Sequence, residues 1–300
     1  MNLMILLLSL FIERFAPSVD DTREYRWLQA IVEFSARRSR LFCFGGGVLG
    51  LLLILALPLV VVAFLQAKLA GWNLLLYLIF AVAVLVYSFG PANLERQLKR
   101  YVDARDQGDT QAAFRYAQPI IAGNYRGDDG LVGMQRAVLD AVLVEHNERI
   151  LGVIFWFVVL GPVGALLFRL SSVLRDSLAQ QGEKLASVAE SARVLHGLLA
   201  WLPARLTALA YALGGSFVDV VESWRAHLAS SAHDWIAGNR RLLIETGISA
   251  LQLRGNDEEL RINEPSDWHA HIDAAHRLSV RSIVIWLVVV ALLTLAGWAS

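Results

Sequence analysis

The sequence predicts an all-α protein, a polytopic membrane helix bundle with amphipathic cytoplasmic helices, on three observations. Of the 300 residues, 56% are hydrophobic and 18% are charged, whereas soluble domains carry about 25% charged residues. The mean hydropathy is +0.50. Several long stretches contain no charged residue, and the sequence shows neither the alternating pattern of a strand nor a repeat of fixed period. These features indicate a helical protein that lies in a lipid bilayer.

The charge-free stretches predict one integral membrane domain over residues 1–300. Two apolar stretches contain residues that disfavour a continuous membrane helix: 150–168 contains the Gly161-Pro162 step, and 194–218 contains Pro203 and Arg205. We expect these two stretches to be broken or re-entrant. The loops 92–149 and 219–280 are predicted to be cytoplasmic and helical. Full membrane helices are predicted at about 1–15, 41–67, 69–91 and 281–299.

Basic residues predict the orientation, because Lys and Arg remain on the cytoplasmic side of the membrane. Residues 13–40 hold six Lys or Arg and residues 91–149 hold eight, whereas the predicted turn 67–71 holds only Lys68. The first two segments are therefore cytoplasmic in a multi-pass protein of the bacterial inner membrane, and the turn lies outside. The 169–193 connection is outside if the stretches 150–168 and 194–218 both cross the membrane, and it is inside if neither does. We expect it inside.

Common catalytic and nucleotide motifs are missing from the sequence. Neither a Gly-x4-Gly-Lys-Ser/Thr phosphate loop nor a Gly-x-Ser-x-Gly elbow occurs, so no catalytic residue is predicted. The formal net charge is zero, which argues against a nucleic-acid partner. His269, Asp273 and His276 share one helical face and could hold a metal, but a polar helix beside the membrane explains them equally. We predict no metal site.

A helical pattern is also predicted in the 92–149 loop. Asp109 offers an N-cap for a helix that we expect to end at Pro119.

Charged and kink-forming residues beside the apolar stretches predict a polar ligand site. Ionisable groups at membrane depth indicate function by default, although arginines that only snorkel and pair would explain them structurally. Pro203 removes a backbone donor from its helix, and the charge of Arg205 needs an acceptor, for which Glu145 and Asp176 are the candidates. The predicted site comprises Glu145, Asn147, Arg149, Arg169, Arg175, Asp176, Trp201, Pro203 and Arg205.

These stretches, in this order, resemble the AmpE family of regulatory signalling modulators and, more distantly, the CobD/CbiB synthases of cobalamin biosynthesis. The likeness is carried by FIER at 11–14, Asn147-Glu148-Arg149, the Gly-Pro break, WLPARLTALAYALGG at 201–215 and the terminal helix. The AmpE likeness implies an inner-membrane protein of β-lactamase induction, antibiotic resistance and cell-wall recycling, with a functional link to the amidase AmpD. The synthase likeness implies a ligase that joins an amino alcohol to a corrinoid carboxylate with ATP and Mg²⁺.

The residues at the site favour the first of these two functions. Arg149 stands where the synthases look acidic, and only Glu145 and Asp176 are placed to hold Mg²⁺. We therefore expect a regulatory protein that binds an anion in a polar pocket at the cytoplasmic face, where Pro203 breaks the helix and Arg205 points into the pocket. An ATP-dependent amide-forming ligase is the alternative.

Overall fold

The computed structural model describes residues 2–15, 25–37, 47–89, 93–121, 130–181, 185–230, 238–253 and 268–296. Their secondary structure is helical, which confirms the predicted all-α membrane bundle. Numbered in chain order, the helices of this described part are α1 Asn2–Phe15, α2 Arg26–Arg37, α3 Val48–Trp72, α4 Leu74–Ser88, α5 Asn93–Asp106, α6 Thr110–Ile121, α7 Gly130–His146, α8 Gly152–Leu160, α9 Pro162–Ala179, α10 Ala186–Gly214, α11 Phe217–Ser230, α12 Gly238–Ala250 and α13 Trp268–Leu295.

The chain divides into two compact units that alternate along the sequence. Unit 1 comprises Met1–Pro91, Glu148–Pro203 and Val289–Ser300, and unit 2 comprises Ala92–Asn147 and Ala204–Val288. Two of the four boundaries between these segments fall inside α10 and α13. The organisation as one integral membrane domain remains a prediction.

Unit 1 is organised around α9, which packs against α2, α3, α4 and α8. Apolar side chains of these helices, among them Leu28, Leu51 and Leu170, form its core. Gly47, just before α3, has a positive φ of 84°, and a Cβ there would lie 2.2 Å from the Ser187 carbonyl oxygen. Glycine is therefore required where the start of α3 meets α10.

In unit 2, α6 packs against α5 and α7, and α12 packs against α7 and α11. Tyr101 and Tyr211 are fully buried in its core. The predicted N-cap is confirmed, because Asp109 Oδ1 accepts a 2.9 Å hydrogen bond from the Ala112 amide at the start of α6. The helix ends at Ile121 rather than at Pro119, since Pro119 is followed by one more half-turn.

Three described helices, α3, α10 and α13, are long and apolar enough to cross a membrane, and α1 and α4 are shorter apolar helices. The side chains of α3 suit contact with lipid: Leu57 is 68% and Val60 is 65% exposed. The predicted membrane helix 281–299 begins earlier, because α13 runs unbroken from Trp268. Residues 1, 41–46, 90–91 and 297–299 of the predicted spans lie outside the described residues.

The turn predicted at 67–71 is wrong. Helix α3 continues through Lys68 to Trp72, and the connection to α4 is at Asn73. The Asn73 side chain caps α4 by accepting hydrogen bonds from the Leu75 and Leu76 amides at 2.8 and 3.3 Å. Lys68 does not interrupt the helix because its ammonium group lies back along it, 5.7 Å from the centre of the Phe64 ring.

The predicted break in 150–168 is confirmed. Gly161 separates α8 from α9 with a φ of 69° and a ψ of −154°, a conformation that glycine adopts without strain. The Gln66 side chain of α3 stabilises the break, because its Oε1 accepts a 3.2 Å hydrogen bond from the Val163 amide.

The predicted break at Pro203 is wrong, because α10 is one continuous helix from Ala186 to Gly214. A proline removes the N–H that would bond to the carbonyl four residues earlier, here that of Leu199. That carbonyl is not left unsatisfied: the Trp156 indole Nε1 donates a 2.9 Å hydrogen bond to it. Helix α8 thus supplies the donor that Pro203 lacks, and α10 continues.

We predict that Trp156→Phe lowers the free energy of unfolding by about 1–3 kcal/mol, because the Leu199 carbonyl then lacks a donor. In a Pro203→Ala background the same change is expected to have a much smaller effect, since the alanine that replaces the proline has an amide that can bond to the Leu199 carbonyl. Unfolding of the four proteins in detergent measures this coupling. Equal effects of Trp156→Phe in both backgrounds would contradict it.

Candidate functional site

Unit 1 contains a partly buried ion-pair network centred on Glu148. Arg175 forms a two-point contact with it: Nη1 donates to Oε1 at 3.1 Å and Nη2 donates to Oε2 at 2.9 Å. The third edge of the guanidinium, Nε, donates to Asp176 Oδ1 at 2.8 Å. The Glu148 side chain is 15% and that of Arg175 is 27% exposed, so the pair lies where water screens it weakly.

His196, on α10, lies beside the same carboxylate. Its Nε2 is 3.9 Å from Glu148 Oε1, and its Nδ1 is 3.0 Å from Ser171 Oγ. The Ser171 hydroxyl donates to the Phe168 carbonyl at 2.7 Å, so the hydrogen-bond network assigns the Nδ1 proton to His196 as the donor to Ser171. Nε2 has no hydrogen-bond partner in the described structure. The basic Nε2 atom of His196 therefore faces the Glu148 carboxylate, and no proton donor binds to this nitrogen.

The environment of Glu148 keeps it ionised. Burial by itself raises its pKa, but the Arg175 guanidinium, by its charge and its hydrogen bonds, outweighs burial and holds the pKa well below its ordinary value of 4.5. The carboxylate therefore remains charged throughout the neutral range, as does its arginine partner.

Glu148 occupies a distorted stretch of helix. Residues Asn147–Leu151 form a π-helical turn between α7 and α8. Such turns insert an extra residue into a helix and are frequent at functional sites. Arg175 and His196 come from the two long helices that follow, so this part of the network is assembled from three separate segments of unit 1.

Unit 2 holds two polar contacts of predicted site residues. Asn147 Oδ1 accepts a 2.8 Å hydrogen bond from Thr207 Oγ1, and both residues are buried. Arg205 Nη1 donates a 3.1 Å hydrogen bond to Asn239 Oδ1 on α12. The acceptor expected for Arg205 was Glu145 or Asp176. Asp176 instead binds Arg175, and no sequence pattern pointed to Asn239.

The predicted site residues fall in both units. Glu145, Asn147 and Arg205 belong to unit 2, and the remaining six belong to unit 1: Arg149, Arg169, Arg175, Asp176, Trp201 and Pro203. The structure brings Arg175 and Asp176 into contact. Arg169 is buried over the Tyr25 ring. Trp201 is 39% exposed on α10, and Pro203 is buried.

Sequence reasoning missed Glu148, Ser171 and His196. Glu148 lies in the EHNER stretch beside an apolar run, but the predicted site includes Glu145, Asn147 and Arg149 of this stretch and omits Glu148. His196 is an isolated polar side chain in an apolar helix, seven residues before Pro203, and this signal could have found it.

The carboxylates of this network do not fit the Mg²⁺ that the synthase likeness implies. A Mg²⁺ site needs carboxylate oxygens free to coordinate, whereas both oxygens of Glu148 and one oxygen of Asp176 bind Arg175. Among the described residues, no group of three or more His, Cys, Asp or Glu is placed to hold a metal ion. On α13, His269 Nε2 lies 3.8 Å from Asp273 Oδ2, and the His276 ring packs edge-on against His146.

Comparison with known proteins places the chain in a family. The family model described as "CobD/Cbib protein" matches residues 6–241, which is most of the chain. The chain belongs to the CobD/CbiB family. The Glu148 network lies entirely within the matched residues. No solved structure matches the chain significantly.

Three curated relatives carry the name "Cobalamin biosynthesis protein CobD". The one from Chromobacterium violaceum is 32% identical over 187 residues, 61% of this chain and 58% of the relative. The one from Stutzerimonas stutzeri is 28% identical over 255 residues, 81% of this chain and 79% of the relative. The one from Pelobacter propionicus is 26% identical over 137 residues, 46% of this chain and 42% of the relative. The match to the Chromobacterium relative thus spans less than two thirds of its length.

The comparisons reverse the order of the two resemblances. The CobD/CbiB likeness, the more distant of the two by sequence motifs, is confirmed at the level of the family. The AmpE likeness gains no support, and neither do the roles it implied in β-lactamase regulation and signalling. The hydrophobic helices common to many membrane proteins carry little family information, which explains why the sequence motifs did not rank the two resemblances as the comparisons do.

Proposed function

We propose that this chain is a CobD/CbiB-type enzyme of cobalamin biosynthesis in the bacterial inner membrane, which joins an amine to an activated carboxylate. One observation carries the proposal: the Glu148, Arg175 and His196 network lies within the family match and leaves a basic nitrogen without a proton donor. The name shared by the curated relatives supports the pathway.

In amide formation the new C–N bond replaces the bond between the carboxyl carbon and its activating group, which leaves with that electron pair, and a nearby group must accept the proton lost by the attacking amine. His196 Nε2 is suited to this because its Nδ1 proton is fixed by Ser171 and its lone pair is unused. Once Nε2 is protonated, its N–H faces Glu148 Oε1, so the carboxylate stabilises the imidazolium that forms. Glu148 and His196 together therefore form the proposed proton-accepting pair.

Arg175 supplies a permanent positive charge at the more exposed side of this pair. Its contacts with Glu148 and Asp176 fix the plane of the guanidinium and hold Glu148 in place. Because two carboxylates bind this one guanidinium, the network is net negative, so the expected anionic ligand is not assigned to it and catalysis replaces binding alone. No step is assigned to Mg²⁺, because both oxygens of Glu148 and one oxygen of Asp176 already bind Arg175.

Genetic complementation tests the proposal. In a bacterium that lacks its own CobD and requires cobalamin for growth, we expect the gene for this chain to restore growth without added cobalamin. Glu148→Gln and His196→Asn are expected to abolish the rescue, whereas Glu190→Gln, an exposed acid of α10, retains it. Failure of the unaltered chain to rescue, with the protein present in the membrane, would reject the function.

The orientation of the 169–193 connection remains a prediction, with this segment cytoplasmic. In a Cys43→Ser background, Ala186→Cys places a thiol at an exposed position at the start of α10. We expect an impermeant thiol reagent added to intact cells to leave it unlabelled, while Gly71→Cys, near the predicted outer connection, is labelled. Labelling of Ala186→Cys from outside would show that the connection is external.

A further inference from the structure

Arg169 is a buried cation without an anion among the described residues. It is 9% exposed on α9, and its Nε atom is buried and makes no hydrogen bond. Within the described structure, neither a hydrogen bond nor an ion pair joins Arg169 to another residue. A buried guanidinium cannot lose its proton, so leaving it unpaired is costly. Its environment is therefore incomplete without a negative partner.

Tyr25 defines the direction from which such a partner can approach. The Arg169 guanidinium carbon lies 5.4 Å from the centre of the Tyr25 ring, and the ring is fixed because the Tyr25 hydroxyl donates to the Tyr87 carbonyl at 2.7 Å. This contact occupies a face of the guanidinium. The edges, which carry the N–H donors, remain for a planar two-point contact with an oxyanion.

Ser172 adds a second unused donor on the same helical face. It is one turn after Arg169 and 3% exposed, and residues three apart on a helix are neighbours. Buried helical serines commonly donate to a carbonyl one turn back, as Ser88 does to Val84. The corresponding acceptor of Ser172, the Phe168 carbonyl, already accepts from the Ser171 hydroxyl. Ser172 makes no hydrogen bond with a described residue.

This pair is separate from the Glu148 network. Arg169 and Arg175 are six residues apart on α9, which places them about 120° apart around the helix. Asp176 lies on the Arg169 side but two turns away, about 10 Å along the axis, and it binds Arg175. Both acids of the network bind Arg175, and neither forms an ion pair with Arg169.

We infer that Arg169 and Ser172, with Tyr25 packed on the guanidinium face, form a binding site for a phosphate-type oxyanion. The guanidinium edge binds two oxygens of the anion, and the Ser172 hydroxyl donates to one of them. The phosphate belongs either to a soluble phosphate compound or to a lipid headgroup, which present the same oxygens. The site goes beyond the proposed amide formation and is tested by binding alone.

The test is thermal unfolding of the purified full-length chain in a phosphate-free detergent. The melting temperature is measured against increasing sodium phosphate, with sodium chloride of equal ionic strength as the reference, and separately against short-chain phosphatidic acid. We expect a saturable rise with at least one of them. Saturation by inorganic phosphate assigns a soluble source, and saturation by phosphatidic acid alone assigns a lipid headgroup.

Four variants locate the site. Arg169→Gln is expected to abolish the saturable rise, and Arg169→Lys to weaken binding about tenfold or more, because an ammonium cannot form the planar two-point contact. Ser172→Ala is expected to weaken it several-fold and serves as the test if Arg169→Gln does not fold. Arg193→Gln, at an exposed arginine paired with Glu190, should bind as the unaltered chain does. No saturable rise with either ligand, or unchanged binding in Arg169→Lys and Ser172→Ala, overturns the inference.

Discussion

Glu148→Gln is expected to lower the free energy of unfolding by about 2–4 kcal/mol, the largest loss of stability that we expect from a single substitution in this network. Removing one partner of a buried ion pair leaves the other charge uncompensated, which costs about 3–5 kcal/mol in fully buried pairs. The lower range applies because Arg175 is 27% exposed. Unfolding in detergent at pH 7 measures the effect.

Two comparisons separate this effect from general damage. Glu190→Gln removes an exposed partner of Arg193, a pair whose side chains are 59% and 45% exposed, and should cost about 0.5 kcal/mol or less. The double change Glu148→Leu with Arg175→Leu replaces both charges by apolar groups and should recover most of the lost stability, but not growth. A loss below about 1 kcal/mol in Glu148→Gln would mean that the pair is not the structural centre of unit 1.

The same pair fixes the direction of the pH dependence. Because Arg175 holds the folded pKa of Glu148 below its ordinary value of 4.5, its stabilisation is fully present above about pH 4.5 and is lost as the pH falls through the lowered folded pKa. With His196→Asn present in both proteins, so that the histidine does not contribute, the stability difference between Glu148 and Glu148→Gln should therefore be constant from about pH 6 to pH 8 and decrease in acid. A difference that grows on acidification would contradict the ion pair.

His196→Asn is expected to lower the rate of amide formation by about 10²–10⁴-fold, the range for loss of a general base. The asparagine amide can still donate to Ser171, so the folded structure should be retained while the basic nitrogen is lost. The ascending limb of the pH–rate profile, which reports deprotonation of an essential base, should disappear in the variant. Rate measurements across pH on purified protein check both effects.

Ser171→Ala is the matched control for the role of His196. It removes the acceptor of the Nδ1 proton but keeps the base, so the pH–rate profile should keep its ascending limb at a reduced rate. If His196→Asn retained a rate within a few-fold of the unaltered chain, or kept the ascending limb, the proton would be accepted elsewhere.

The fold class could be predicted because it depends on composition and on the periods of apolar residues, which each segment carries by itself. The break at Gly161 was predicted for the same reason, since Gly-Pro is a local signal. The course of α10 was not, because the donor that replaces the missing N–H of Pro203 is the Trp156 indole, which bonds to a carbonyl 43 residues away in the chain. The sequence around Pro203 shows that a backbone donor is lost, but it does not show that a side chain of another helix supplies a donor to the same carbonyl.

The site shows the same limit. Arg175 and Asp176 were correctly grouped, since they are consecutive. Glu148 was not paired with Arg175, 27 residues later, because helical periodicity defines the faces of one helix but not which faces of different helices meet. Asn239, which accepts a hydrogen bond from Arg205, was missed for that reason too, since it lies 34 residues away on another helix.

Direct detection of the amide product tests whether Glu148 and His196 act together in amide formation. Purified chain is incubated with a corrinoid carboxylic acid, an amino alcohol, ATP and Mg²⁺, and the amide is measured by mass spectrometry. We expect an amide that accumulates with time, is absent with Glu148→Gln and His196→Asn, and forms normally with Glu190→Gln. Binding of the substrates without any amide, or equal amide formation by His196→Asn, would contradict it.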